Sequence, residues 1–525
     1  MSEKIKHSLI RIFYLLFGIT FSYIFIQTFI QRISMNYELN KIIYFLLGVL
    51  IFIIWYLIYK LIHKYYDKLS EKQELILLFS TFVIFVLIFI IIIITLKMPP
   101  QWDYGVVYEQ ARSYVLTGDR TDLNNSSLYL QYHDNNIGLF AFWVAIFKFV
   151  NLFGVTDFLT VATLVNAFMV GISILLLYLC LRKILDKKKA YFGLIISLFF
   201  VPLFTYIPIF YTDTLSMPFV MLILYLYLSL NKDKLLSKKN ILFFLLILLL
   251  AYLGGKIKMT TWVIFIAVLI HFIFTQKWKS ITVVLIVTIL FIPTSSILWQ
   301  KLIVENKSFA IVENDYGALP WTHYLMMGVQ RKGEQVNEIR CIGGYNYKDL
   351  EKTLFYKTSE ESKEYNLEEY VRRVKEYGFI GYIDYLTKKA VNAWGEGSFF
   401  TDYVYQFDYK APNAIKKEIR GINTNKLLYF EQGVMEAMVF IFGCYGLVMF
   451  FKKKETSSKT IIPLSIFGML LVLLFWENRS RYLVNYIPIF IMLITLFYSE
   501  ITKDNKRILP NLKKLNLIAR KNQGK

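Results

Sequence analysis

The chain has 525 residues, of which 56% are hydrophobic and only 18% charged, with a formal net charge of +21. That balance excludes a soluble domain of this size, and many apolar runs reach the roughly 20 residues that a bilayer crossing needs. The positive excess does not point to nucleic acid: residues 301–430 hold 19 Lys and Arg against 18 Asp and Glu, and the surplus lies in short loops and the tails, as it does on the cytoplasmic side of membrane proteins.

The N-terminus, MSEKIKHSLIRIF, leads into a full-length apolar run without a small-residue cleavage site, so no removable signal is expected. Spans are predicted at 9–30, 41–61, 74–97, 158–181, 190–209, 214–231, 240–256, 260–275, 280–299, 430–451, 460–476 and 482–500. With these bounds the basic loops YKLIHKYYDKLSEK, LRKILDKKK, NKDKLLSKKN, QKWKS and FKKKETSSK share one side with both termini. That side is expected to be the cytoplasm. The stretch NIGLFAFWVAIFKFV (136–150) is apolar but short, and if it crossed, RKILDKKK would lie outside. It is therefore read as a re-entrant or interfacial helix on the outer side.

The expected fold is thus an all-α polytopic membrane protein of about 12 transmembrane helices. Residues 1–73 form two N-terminal spans, and 74–300 a core that includes an outer loop at 98–157. A mainly helical outer region follows at 301–430, then C-terminal spans at 431–500 and a basic cytoplasmic tail at 501–525. The three cysteines, Cys180, Cys341 and Cys444, lie too far apart for a disulfide framework or zinc site to be read from them. No Walker A loop, GxSxG elbow or HExxH helix is present, so ATP-driven transport, serine hydrolysis and zinc chemistry have no motif.

The outer loops carry the unusual residues. From Asp103, apolar and aromatic side chains at Tyr104, Val107, Tyr108, Ala111 and Val115 recur at three- and four-residue steps. They mark an amphipathic surface helix that ends at Gly118, a fitting C-cap. His133 and Asp134 precede the short apolar helix, and Asp213 sits between two spans. Carboxylates at that level are costly unless solvated or paired. An interface aspartate that merely caps a helix is as good a reading for any one of them, less so for all three. Lys256, Lys258, Arg479 and Arg481 break the positive-inside pattern on the same side. Cations there can hold an anion such as a lipid phosphate, or snorkel, or pair with Glu477.

These pieces, in order, resemble the superfamily C glycosyltransferases, among them the protein O-mannosyltransferases, aminoarabinose transferases and oligosaccharyltransferases. WDYGVVYEQA and QYHDNNIGLFAFW are similar to the first outer loop: acid, surface helix, polar loop, short apolar helix. FYTDTLSMPF resembles the second acidic loop, IKMTTWVIFIAV a lysine-bearing segment, and ENRSRYLVNYIPIFIML the RY-then-proline span. LPWTHYLMMGVQRKG, GGYNYKD and KKAVNAWGEGSF look like the outer region of a Gram-positive bacterial branch. Two spans, in residues 1–73, precede the one that leads into the acidic loop, which moves the start of the core to about residue 74.

The resemblance implies transfer of a sugar from a polyprenyl-phosphate donor to an extracytoplasmic acceptor: a surface glycan, teichoic acid, glycolipid or protein. Asp103 would be the general base. Lys258, Arg479, Arg481 and Lys256 would hold the lipid phosphate. Asp213, His133, Asp134, Glu109 and His323 would contact donor or acceptor; His323 serves equally well as a structural histidine. A divalent metal, Mg²⁺ or Mn²⁺, on Asp103 and Asp213 suits the oxygen donors, and other branches do without one. Alternatives from other classes are a polysaccharide polymerase or ligase, a lipid-linked sugar flippase or secondary transporter, and a non-enzymatic assembly partner. Apart from membrane lipids, the donor and the acceptor are the partners expected.

Overall fold

The computed structural model describes residues 3–31, 39–118, 129–231, 237–276, 278–306, 318–334, 341–356, 358–408, 413–421, 424–452 and 458–502. The basic tail beyond Thr502 lies outside the described residues. Within them the chain is all-helical, an integral membrane protein in which nine helices are long and apolar enough to cross a bilayer.

In chain order the helices are α1 (Glu3–Ile30), α2 (Lys41–Tyr65), α3 (Glu71–Leu96), α4 (Trp102–Thr117), α5 (Ile137–Asn151) and α6 (Phe158–Ile184). Then come α7 (Lys187–Ile196), α8 (Met217–Leu228), α9 (Lys238–Ile257), α10 (Thr261–Thr275) and α11 (Trp278–Trp299). The 301–430 region contributes α12 (Trp321–Met327), α13 (Tyr347–Phe355) and α14 (Ser359–Trp394). The last three are α15 (Lys426–Phe451), α16 (Ile461–Phe475) and α17 (Ser480–Thr502), whose first turns, Ser480–Tyr486, wind as a 3-10 helix.

Local chemistry sets several of these ends. Ser70 and Gln73 form a reciprocal capping box at the start of α3. Gly118, at φ 79°, closes α4 in the left-handed conformation, at the residue read as its C-cap. Gly378, at φ 65°, kinks α14, so its 36 residues form two helices joined at an angle. Beyond the kink α14 enters the bundle, where Trp394 packs against Phe21 of α1, Phe442 of α15 and Phe490 of α17. α1 and α15 touch backbone to backbone at Gly18 and Gly446; a Cβ on Gly446 would lie 2.4 Å from the Gly18 nitrogen. Close approach through small residues is how membrane helices gain contact without a hydrophobic driving force.

α3 and α6 run antiparallel, pinned at both ends. At one end Lys97 Nζ lies 3.8 Å from Asp157 and donates to Thr160 at 2.7 Å. At the other, Lys187 pairs with Glu74 at 2.9 Å and Lys188 with Asp67 at 2.6 Å. The chain therefore leaves the bundle at residue 97 and returns at 157 on the same end. α5 does not carry it across. Its 15 residues lie against α4 and α9, and Gly138 lets its first turn sit on the Lys256 carbonyl, where a Cβ would come within 2.1 Å.

One predicted span is corrected. Residues 190–209 are not a continuous helix: α7 stops at Ile196, a 3-10 turn follows, and Pro202–Thr205 make only one further turn. Pro202 and Pro208 supply no backbone N–H and disfavour helical geometry in the residue before them. The carbonyls this frees are met by side chains. Buried Asn166 of α6 donates to the oxygens of Tyr206 and Ile207, both at 2.9 Å, and Tyr405 donates to that of Thr205 at 2.8 Å. Irregular backbone inside a membrane protein is tolerated on such terms. The spans predicted at 214–231 and 260–275 are shorter apolar helices, Thr212–Leu228 and Thr261–Thr275.

Candidate functional site

The ends of α3, α9, α14 and α16 and the starts of α4, α10 and α17 meet at one end of the bundle. Pro99 and Pro100 stop α3, and Trp102 takes φ 37° to turn the chain into α4. Gly105 settles on Pro100, where a Cβ would lie 2.8 Å from the carbonyl carbon. This turn presents Asp103 to a polar cluster. The Tyr211 hydroxyl is shared between Asp103 Oδ2 at 3.4 Å and Asn136 Oδ1 at 3.3 Å. Asn136 donates to the Tyr129 hydroxyl at 2.8 Å. Burial, with the Asp103 charge behind it, raises the Tyr129 pKa well above the usual phenol range, so this hydroxyl stays a donor.

Opposite stand two arginines. Buried Arg481 places its guanidinium carbon 5.2 Å from the Tyr211 ring, 5.3 Å from Tyr482 and 5.7 Å from Trp102. Its Nε has no hydrogen-bond partner, and among the described residues no carboxylate forms an ion pair with it. Arg479 lies 5.1 Å from the Phe400 ring, with Nε 3.5 Å from Glu477 Oε1.

Asp103, Tyr211 and both arginines line one cavity of about 450 Å³, which also reaches His133, His323, Tyr345 and Glu477. Burial lowers the His133 pKa, against the pull of Asp103, Asp134 and Glu477. Burial likewise pushes His323 down to about 4, and its Nδ1 sits 2.8 Å from the Thr353 hydroxyl. Both imidazoles are therefore neutral near pH 7, hydrogen-bonding rather than charged. Tyr324 donates to Asn135 at 3.4 Å, tying α12 to the loop before α5 across the cavity.

Five residues expected at the site are not in the cavity wall. Lys258 and Asp213 are buried and paired with each other, and the Lys258 ammonium stands 4.8 Å from the Tyr482 ring. Neither is open to a ligand. Lys256 lies over the rings of Trp299 and Tyr252 at 5.3 and 5.5 Å. Asp134 faces it, and burial raises the Asp134 pKa while Lys256 opposes the rise. Glu109 bonds Arg112 at 3.1 Å and lines a separate cleft beside Lys97 and Asp157, because six residues of helix turn it about 120° away from Asp103. Nor do Asp103 and Asp213 fit as a shared metal seat: Asp213 is committed to Lys258, and among the described residues no three His, Cys, Asp or Glu side chains converge to hold an ion.

Tyr129, Asn136, Tyr211 and Phe400 escaped sequence reasoning, although the first three stand within a few residues of His133, Asp134 or Asp213. The available signal for those three was their clustering with those residues in stretches otherwise built for span ends; Phe400 had none.

A family model described as conserved hypothetical integral membrane protein matches residues 1–502. No curated protein and no solved structure matches the chain.

Proposed function

The chain belongs to the family of conserved hypothetical integral membrane proteins, and on that footing we propose that it is a membrane glycosyltransferase. It moves a sugar from a polyprenyl-phosphate donor to a hydroxyl acceptor at the extracytoplasmic face. Asp103 takes the acceptor proton as the new O–C1 bond forms, and the C1–O bond to the lipid phosphate breaks on the opposite side, inverting the anomeric carbon. The phosphodiester carries one negative charge and the departing phosphate monoester gains another. Arg481 and Arg479 stabilise that gain.

One observation carries this reading: a buried arginine without an ion-pair partner faces a carboxylate across a ring-lined cavity. A buried guanidinium that no carboxylate pairs directly remains costly, and an anionic ligand offsets the cost. Charge counting favours a single phosphate over a diphosphate, because Asp103 and Glu477 already stand against the two arginines in the cavity wall and both histidines are neutral. The extracytoplasmic assignment rests on the far end of the bundle. There Arg182, Lys183, Lys187, Lys188 and Lys189 cluster where α6 meets α7, as on a cytoplasmic face. The acceptor is a surface glycan, teichoic acid, glycolipid or protein.

The test is reconstitution in liposomes with polyprenyl-phosphate sugars and surface-glycan acceptors drawn from the source cells. The expected result is consumption of one donor and release of free polyprenyl phosphate. Unchanged donors, or donors that only change leaflet, would replace the transferase with a lipid carrier or an assembly partner.

A further inference from the structure

Glu396 lies behind the arginines, buried, and takes no part in the chemistry above. Its carboxylate gathers four donors. One oxygen accepts from the Ser398 amide at 3.0 Å and from the Ser398 hydroxyl. The other accepts from the Phe400 amide at 2.9 Å and from the Ser480 hydroxyl. Three of these four contacts hold a turn in which Phe399 and Phe400 both have positive φ, 50° and 74°. Two successive non-glycine residues in that region persist only when their surroundings over-determine them. The fourth contact grips Ser480, the residue between Arg479 and Arg481.

The carboxylate is itself anchored. Gly397 sits so close to α15 that a Cβ would lie 2.4 Å from the Glu431 carbonyl oxygen. Gln432 of α15 clamps the peptide on both sides of Glu396: its Oε1 accepts from the Gly397 amide at 3.1 Å, and its Nε2 donates to the Gly395 oxygen. Glu396 is thus a fixed acceptor that sets two cavity walls at once. Through Phe400 it places the ring under Arg479, and through Ser480 it sets the backbone from which both arginines project. No ion pair joins it to either arginine among the described residues, so it orders them without neutralising them.

We infer that Glu396 is a positioning residue for the anion-binding arginines, acting through Ser480 and the Phe399–Phe400 turn. This rests on the reading of Arg479 and Arg481 as the phosphate site. Leaving one partner of a buried hydrogen bond unsatisfied is costly enough that its loss weakens phosphate binding about tenfold or more.

The experiment measures binding of farnesyl phosphate and of farnesol, which lacks the phosphate, to the full chain in detergent. The proteins compared are wild type, Arg481→Ala, Glu396→Gln and Ser480→Ala. The expected result is a loss of about tenfold or more for farnesyl phosphate in all three variants, with farnesol binding unchanged. Ser480→Ala removes a single hydroxyl and carries the test should Glu396→Gln fail to fold. If Arg481→Ala loses the preference for farnesyl phosphate while Ser480→Ala and any folded Glu396→Gln keep it, the positioning role is overturned and the phosphate site stands. If wild type binds both lipids alike, the phosphate site falls and the inference with it.

Discussion

Tyr211 stands between Arg481 and Asp103: its ring centre is 5.2 Å from the guanidinium carbon, and its hydroxyl is 3.4 Å from the carboxylate. One side chain thus fixes the spacing of the cation and the acid. A base and a leaving-group cation in an inverting displacement must act on opposite faces of one carbon, so their separation has to be held.

Asp103→Asn keeps the shape of the side chain and removes its basicity. Transfer should fall by about 10²–10⁴-fold, the usual contribution of a positioned base, while thermal unfolding in detergent stays near wild type. A variant with near-normal turnover would remove Asp103 from the reaction.

Lys258→Ala should act on stability before activity. The pair with Asp213 is buried on both sides, and removing one partner of a buried pair costs about 3–5 kcal/mol. The double variant Lys258→Met, Asp213→Leu should recover much of that loss, because it leaves no uncompensated charge. Denaturant or thermal unfolding of the single and double variants measures it. A Lys258→Ala protein as stable as wild type would contradict the pairing.

His323 makes stability depend on pH. In the folded protein it takes a proton only near pH 4, whereas an unfolded imidazole does so near 6.5. Below about 6.5 the unfolded state therefore binds a proton that the native state refuses. Its contribution is complete above pH 6.5 and is lost as pH falls towards 4, up to about 3 kcal/mol at roughly 1.4 kcal/mol per unit. Unfolding curves from pH 7 to 4 should show this slope, and His323→Gln should flatten it.

The sidedness of the bundle is open to labelling. A membrane-impermeant thiol reagent on intact cells should modify Lys352→Cys in α13 and spare Lys187→Cys at the far end until the membrane is opened. The reverse pattern would turn the site towards the cytoplasm.

Much of this architecture is written in local pattern, and the exceptions have physical causes. The apolar runs mark the long helices, and the charge of RKILDKKK marks α5 as a helix not expected to cross. Hydropathy is blind to Pro202 and Pro208, so it reads the broken segment 190–209 as a span. Asp103, Arg479 and Arg481 stand out as charges at span ends and do meet in one cavity. Lys258 and Asp213 stand out for the same reason, yet a separation of 45 positions along the chain hides that each is the other's partner. Glu396 is signalled only by its flanking glycines. The purpose of Gly397, a backbone laid directly on α15, exists only once distant helices are packed.

The contact between Lys97 and Asp157 closes the excursion that begins and ends at one rim of the bundle. A loop that returns to its point of departure adds an even number of crossings, here zero. Its length and content can therefore change without reversing any later helix. Exchanging residues 98–156 for the corresponding stretch of another family member would alter the cavity wall that Trp102, Asp103, Tyr129 and His133 form and leave the orientation of everything from α6 onward as it is.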